Sequence, residues 1–160
     1  MTQSTTAERG ANVRFPPPLV FLAAILLGVV AQAGVTAPSL PVDRAIRLAA
    51  GFLLILLGLC FGVPARVHFG RTGQHPAPWR PSPELILAGP YRLTRNPMYL
   101  GMSLIELGIG VAANNLWIFV LTLPALLIVH RIAVLPEELY LATRFGEPYT
   151  SYCAGVRRYL

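Results

Sequence analysis

Residues 98–135 read MYLGMSLIELGIGVAA-NN-LWIFVLTLPALLIVHRIAVL: two apolar runs, Met98 to Ala113 and Leu116 to Leu135, separated only by Asn114-Asn115. Each run approaches the roughly 20 residues that cross a bilayer as a helix. An asparagine pair between two such runs reads as a tight turn, because asparagine tolerates the left-handed conformation and hydrogen-bonds its own backbone. The stretch therefore predicts two antiparallel helices, the third and fourth of an all-α polytopic membrane protein.

Two more apolar runs lie upstream, Leu19 to Val35 and Ala45 to Val63, the second ending before Pro64, where proline is expected to stop the helix. About four transmembrane helices account for most of a 160-residue chain, so residues 1–160 are expected to form one membrane domain, with 1–18 as an N-terminal tail. Composition agrees: 54% of residues are hydrophobic and 12% charged, against about 25% charged in an ordinary soluble domain. A large soluble catalytic domain is excluded by length. Arg9 and Arg14 before the first run, and Ala31-Gln32-Ala33 near its end, also suit a cleaved signal peptide, the rival reading of that segment.

All 13 basic residues are arginine, against 7 acids. With four spans, eleven arginines fall on the side that holds both termini and the segment Pro64 to Pro97, and two, Arg44 and Arg47, fall on the other. The positive-inside rule then places both termini and that segment in the cytoplasm. The arginines are scattered between apolar runs and not gathered with stacking aromatics, which excludes a nucleic-acid partner. Cys60 and Cys153 form no CxxC pair and no zinc spacing with the three histidines, and read as reduced structural residues.

A hairpin with its tip at Asn114-Asn115 brings its two open ends together at one membrane face. Arg95-Asn96-Pro97-Met98-Tyr99 lead into helix three, and Pro136-Glu137-Glu138 leave helix four, so hydrogen-bond donors meet two carboxylates at the lipid boundary. The segment Pro64 to Pro97 carries seven prolines and five arginines, and a loop of that length is more often functional than a plain connection. Within it Leu85-Ile86-Leu87-Ala88 is apolar and Gly89-Pro90-Tyr91 has turn chemistry, after which Tyr91, Arg92, Arg95 and Asn96 offer donors. As purely structural features, these tyrosines and arginines suit anchoring at headgroup level, and the two acids suit the first turn of a new helix after Pro136. Glu106, eight residues into the third run, is a functional candidate because an ionisable group at that depth is costly. Gly108 and Gly110 read as close helix packing. Gly146 is expected to end the helix that starts at Pro136. Beyond it Tyr149, Tyr152, Val156 and Tyr159 share one face of a C-terminal helix expected to lie in the membrane interface beside Arg157 and Arg158.

The string Gly89-Pro-Tyr-Arg-Leu-Thr-Arg-Asn-Pro-Met-Tyr-Leu-Gly101, followed by Pro136-Glu-Glu138 and by Phe145-Gly-Glu-Pro-Tyr149 with Tyr152 and Val156, closely resembles the integral membrane methyltransferases. These are the isoprenylcysteine carboxyl methyltransferase family and the related phospholipid methyltransferases. The resemblance covers about Leu48 to Leu160 and is strongest over 85–160. It implies a helical membrane fold that uses S-adenosylmethionine. Cofactor contacts are implied for Leu85, Ile86, Tyr91, Arg92, Asn96, Pro97, Met98, Tyr99, Glu137 and Glu138, and a close approach of cofactor to backbone for Gly58. Asn96 stands where the prenylcysteine enzymes usually have histidine, while the phospholipid branch can have asparagine. The arginine that those enzymes place before the acidic pair aligns with Ala133 here, with Arg131 the nearest base.

The function so implied is methyl transfer from S-adenosylmethionine to a lipophilic acceptor that arrives sideways from the bilayer. Arg92 or Arg95 is expected to hold the cofactor carboxylate, and Glu137 or Glu138 its amine or ribose hydroxyls. Arg95, Glu137 and Glu138 are the candidates closest to the chemistry, and Arg131 and Glu106 the candidates on the acceptor side. Prenylated cysteine, an amine-headed phospholipid, a small thiol and a polyketide or quinone-like lipid remain open as acceptor. A lipid-binding scaffold that keeps the fold without catalysis is the rival function, with a small transporter or channel behind it.

Overall fold

The structure is a computed structural model that describes residues 10–35 and 38–160; Arg9, one of the arginines used for topology, lies outside them. It is helical, with no strand among the described residues. The elements are α1 (Pro17–Gly34), α2 (Arg44–Arg71), a 3-10 turn (Gly89–Arg92), α3 (Pro97–Ala112), α4 (Leu116–Val129), a π-helical turn (His130–Val134), α5 (Leu135–Phe145) and α6 (Glu147–Gly155). Three stretches are long and apolar enough to cross a membrane: α1, α2 and the continuous helical run Leu116–Phe145. α3 is apolar but has 16 residues, about 24 Å at 1.5 Å per residue.

Two boundaries differ from the sequence expectation, both at prolines. α2 runs through Pro64 to Arg71. The only intrahelical bond Pro64 forgoes is the one to the carbonyl of Cys60, an exposed residue, and a helix tolerates one such loss when the rest of its ladder holds. Likewise no break separates α4 from α5. Ahead of Pro136 the chain widens into a π turn, in which the Leu135 N–H bonds the His130 carbonyl, and this absorbs the proline without ending the helix. The extra residue also rotates everything beyond it by about 100°, which sets the direction in which Glu137 and Glu138 face.

α3 lies between α2 and α4, and α1 packs on α4. The α2–α3 contact is made by backbone. A Cβ on Gly101 would sit 2.6 Å from the Gly58 carbonyl oxygen, and one on Gly108 would sit 2.6 Å from that of Gly51. Glycine at these positions lets two helices approach closely, where dispersion between backbones replaces side-chain packing. Gly58 therefore meets the backbone of α3. Away from these contacts the bundle exposes an apolar surface: Leu22, Leu26 and Val30 on α1, Phe52, Leu53 and Leu56 on α2, Val120, Leu123 and Leu127 on α4.

The end of the bundle that carries Asn114-Asn115 is tied by hydrogen bonds. Asn114 takes φ +54° and its Oδ1 accepts from the Leu40 N–H at 3.0 Å. Asn115 caps α4 through the Ile118 N–H, and its Nδ2 donates to the Gly28 carbonyl at 3.1 Å. Arg47 donates to the Ala112 carbonyl at 3.2 Å, placing a cation at the negative end of α3.

The C-terminal helix is shorter than expected. α5 does end at Gly146, which takes φ +58°, but α6 stops at Gly155 and Val156 is extended. Tyr149 is buried, and Tyr159 leaves the helix to meet His130, its hydroxyl 3.0 Å from Nδ1. The anticipated aromatic face is thus divided between a helix and an extended segment, because the backbone of Arg157 and Arg158 is engaged by the residues before α3. Gly108→Val should cost about 1–3 kcal/mol by overpacking, read as a lower thermal midpoint in detergent. Gly62→Ala, whose Cβ would meet nothing within 4 Å, should leave that midpoint unchanged or raise it, since alanine is the better helix former.

Candidate functional site

The segment before α3 is organised by the C-terminal residues. The Arg95 N–H donates to the Arg157 carbonyl at 2.9 Å, and Thr94 Oγ1 and Asn96 Nδ2 both donate to the Arg158 carbonyl at 3.0 Å. Arg158 in turn grips Glu138 with two parallel bonds, Nε to Oε1 at 2.9 Å and Nη2 to Oε2 at 2.7 Å. Such a fork is among the stronger polar contacts available to a carboxylate, and it holds the Arg158 guanidinium above its ordinary pKa. Arg95 approaches the same carboxylate at 3.3 Å and donates to Cys153 Sγ at 2.9 Å. Glu138, expected to face a ligand, is already matched by two arginines.

Its neighbour differs. Glu137 accepts from the Tyr99 hydroxyl and forms no ion pair among the described residues. Tyr99 is anchored on α3 three residues after Asn96, so this bond fixes α5 against the start of α3. The Tyr152 hydroxyl donates to the Tyr91 carbonyl at 2.6 Å, joining α6 to the 3-10 turn. Burial pushes Tyr152 up to about 12 and Tyr91 above its ordinary value, so both phenols stay neutral donors across the physiological range.

These contacts border a cavity of about 100 Å³, apolar over most of its lining but holding charged and phenolic groups, and so the more polar of two neighbouring spaces. Leu85, Ile86, Tyr91, Arg95, Asn96, Pro97, Met98, Tyr99, Glu137 and Glu138 all line it, together with Gln74, Tyr140, Tyr149 and Tyr152. The proline-rich segment forms one wall and is held to α5 at Ser82, whose N–H donates to the Tyr140 hydroxyl at 3.0 Å and whose carbonyl accepts from Arg144 Nε at 2.6 Å. Its outer side is covered by the chain ahead of α1: Ala11 donates to the Pro78 carbonyl at 2.7 Å, and Ala11 and Val13 are buried. A second, apolar groove of about 560 Å³ runs beside it along α2 and α3, lined by Gly58, Leu59, Val63, Met102 and Ile105 and carrying Arg66 and Trp79. The two spaces share the stretch His75 to Pro78, and also Met98 and Tyr99.

The fold does not bring every candidate here. Arg92 is exposed on the 3-10 turn, Arg131 is exposed on the π turn, and neither lines the cavity or the groove. Glu106 is 1% exposed, enclosed within the helices, with neither oxygen hydrogen-bonded among the described residues, and it too lines neither space. Ala133, at the position where related enzymes carry an arginine, is fully buried. Conversely, Arg158, Cys153 and Gln74 were not among the site residues expected from sequence, Arg158 being read as an interfacial cation and Cys153 as structural. Arg158 carried a signal, a cation near the chain end able to reach an acidic pair, but its partner is decided by the extended turn after Gly155. Gln74 carried none beyond being an uncharged polar residue in a proline-rich segment.

The donor set has the chemistry to hold S-adenosylmethionine. Arg95 Nε is buried without a partner among the described residues, a donor suited to a carboxylate, and Glu137 offers acceptor capacity to an ammonium or a hydroxyl. A helical protein with long apolar helices, and with a polar cavity and an apolar groove that share wall residues, has the form of an integral membrane protein with a binding site. The phospholipid methyltransferase family matches residues 46–148, more than half of the chain, and the protein belongs to that family. No curated protein and no solved structure matches the chain significantly. Family membership implies methyltransferase activity, and the isoprenylcysteine enzymes resembled at sequence level are related to the same group.

Removing the fork should loosen the site. Arg158→Ala is expected to lower stability by about 1–2 kcal/mol, the exposed part of the arginine being discounted, seen as a reduced melting temperature in detergent. Arg158→Lys, which cannot bond both oxygens in one plane, should recover only part of it.

Proposed function

We propose that the protein transfers a methyl group from S-adenosylmethionine to a lipophilic acceptor at the cytoplasmic face of a membrane that α1 to α4 cross as four spans, with both termini cytoplasmic. The observation that carries this reading is the junction of a polar cavity with an apolar groove at Met98 and Tyr99. A water-soluble charged cofactor and a hydrocarbon-tailed acceptor need separate surfaces that meet at one point, and this geometry supplies them.

When bound, S-adenosylmethionine supplies a methyl already activated by its sulfonium, so the chain's part is to orient two reactants and to exclude water. In this reading Arg95 holds the cofactor carboxylate with its free Nε. Asn96, Pro97, Met98 and Tyr99 line the start of α3 against the cofactor, and Leu85, Ile86 and Tyr91 form the facing wall. Glu138 keeps Arg95 and Arg158 in place. Glu137, positioned by Tyr99 and lacking an arginine, accepts from the cofactor amine or ribose and is the member of the acidic pair available to take a proton from an amine acceptor. The segment His75 to Pro78, shared by cavity and groove, shields the junction from solvent. An acceptor slides along α2 and α3 from the lipid, with its tail against Leu59, Val63 and Met102.

Incubating the purified protein with methyl-labelled S-adenosylmethionine and a total lipid extract is expected to put label into a lipid-soluble product, identified by mass. No labelled product, together with no binding of S-adenosylhomocysteine, would leave the scaffold reading in its place. By calorimetry in detergent, Arg95→Gln should weaken S-adenosylhomocysteine about tenfold or more, the size of a charge-assisted hydrogen bond. Unchanged affinity would remove Arg95 from the carboxylate site.

A further inference from the structure

We propose that Gln74 reads the hydrogen-bonding edge of the cofactor's adenine, an inference that rests on the S-adenosylmethionine reading above. Gln74 is 7% exposed and lines the polar cavity. Neither its Oε1 nor its Nε2 has a hydrogen-bond partner among the described residues. Buried primary amides are normally bonded, because burying them unpaired is costly. An unpaired one on a cavity wall is a recognition group awaiting its complement.

The side chain is delivered there by a defined turn. Beyond α2, Gly73 takes φ +68° and the Gln74 N–H bonds the Phe69 carbonyl at 2.9 Å, closing the helix end. The same turn keeps Phe69 on the wall, where its ring meets Tyr91 edge-on at 6.3 Å between centroids. Leu85 and Ile86 line the cavity as well. A neutral amide among two aromatic rings and two aliphatic side chains matches a flat, uncharged heteroaromatic ring, apolar on its faces and polar at its edge.

The other parts of the cofactor call for different chemistry. Its carboxylate, ammonium and sulfonium are charged groups, met by the charges of Arg95 and Glu137. Adenine is the neutral part, and a glutamine amide complements it with two bonds at once, Oε1 accepting from the 6-amino group and Nε2 donating to N7.

The test compares S-adenosylhomocysteine with its deaminated analogue S-inosylhomocysteine by calorimetry on the full chain in detergent. Deamination turns the amino donor into a carbonyl acceptor, and N7 beside it is an acceptor too, so on this edge the amide oxygen is left without a donor. The wild type is expected to prefer the adenine ligand about tenfold or more. Gln74→Leu, close in volume, should weaken S-adenosylhomocysteine about tenfold and bring the two ligands within about twofold. Its ligand-free melting temperature should be unchanged or raised, since an unpaired buried amide is gone. Gln74→Asn, one methylene too short, should lose the preference in the same way and provides the readout if the leucine variant does not fold. A preference that survives in the folded variants overturns the role of Gln74 and leaves the cofactor reading standing. A wild type that binds no S-adenosylhomocysteine overturns both.

Discussion

The carboxylate of Glu138 is the point at which three distant parts of the chain become one wall. It is gripped by Arg158 from the chain end and approached by Arg95 from the residues before α3, while its own position is set by the π turn that precedes α5. With two guanidiniums on one carboxylate, the cluster keeps a net positive charge beside Glu137. The main chain follows the side chains: the carbonyls of Arg157 and Arg158 receive donors from Thr94, Arg95 and Asn96, so the extended C-terminal segment acts as a strap across the mouth of the α3–α4 pair. Tyr149 and Tyr152, on α6 just ahead of this segment, line the cavity.

A second constraint acts along the helices. Backbone contact between α2 and α3 at Gly51, Gly58, Gly101 and Gly108 leaves no side-chain layer between them, so the groove opens beside the contact instead of being filled. Met98 and Tyr99 stand at the start of α3, where this apolar groove reaches the polar cavity. The two constraints together place charge and hydrocarbon side by side, which is what methyl transfer to a lipid-borne acceptor requires.

Much of this was legible in the sequence. The apolar runs gave the helices, because a helix in a bilayer needs only length and apolarity, and Asn114-Asn115 marked the turn through its tolerance of φ near +54°. The string from Tyr91 to Tyr99 and the pair Glu137-Glu138 named most of the cavity lining. Pro64 and Pro136 misled, since a proline removes one hydrogen bond and a long apolar helix survives that loss. Glu106 is marked as costly by its depth, and it is enclosed among the helices and lines neither cavity nor groove. Arg92 and Arg131 match the charge a ligand would need, but both are exposed and line neither space.

By itself, then, the sequence determined the helical class, the family and the set of residues crowded at one end of the bundle, because these follow from hydropathy, turn chemistry and a local string of side chains. Only the tertiary structure decided which of two adjacent carboxylates was already matched, which arginines matched it, that Tyr149 and Tyr152 line the cavity, and that the amide of Gln74 stands on the cavity wall unpaired among the described residues. Those outcomes depend on contacts between residues separated by 20 to 64 positions along the chain, and on a single extra residue in the π turn that aims α5. Pairing at that range is a property of packing, and local pattern does not encode it.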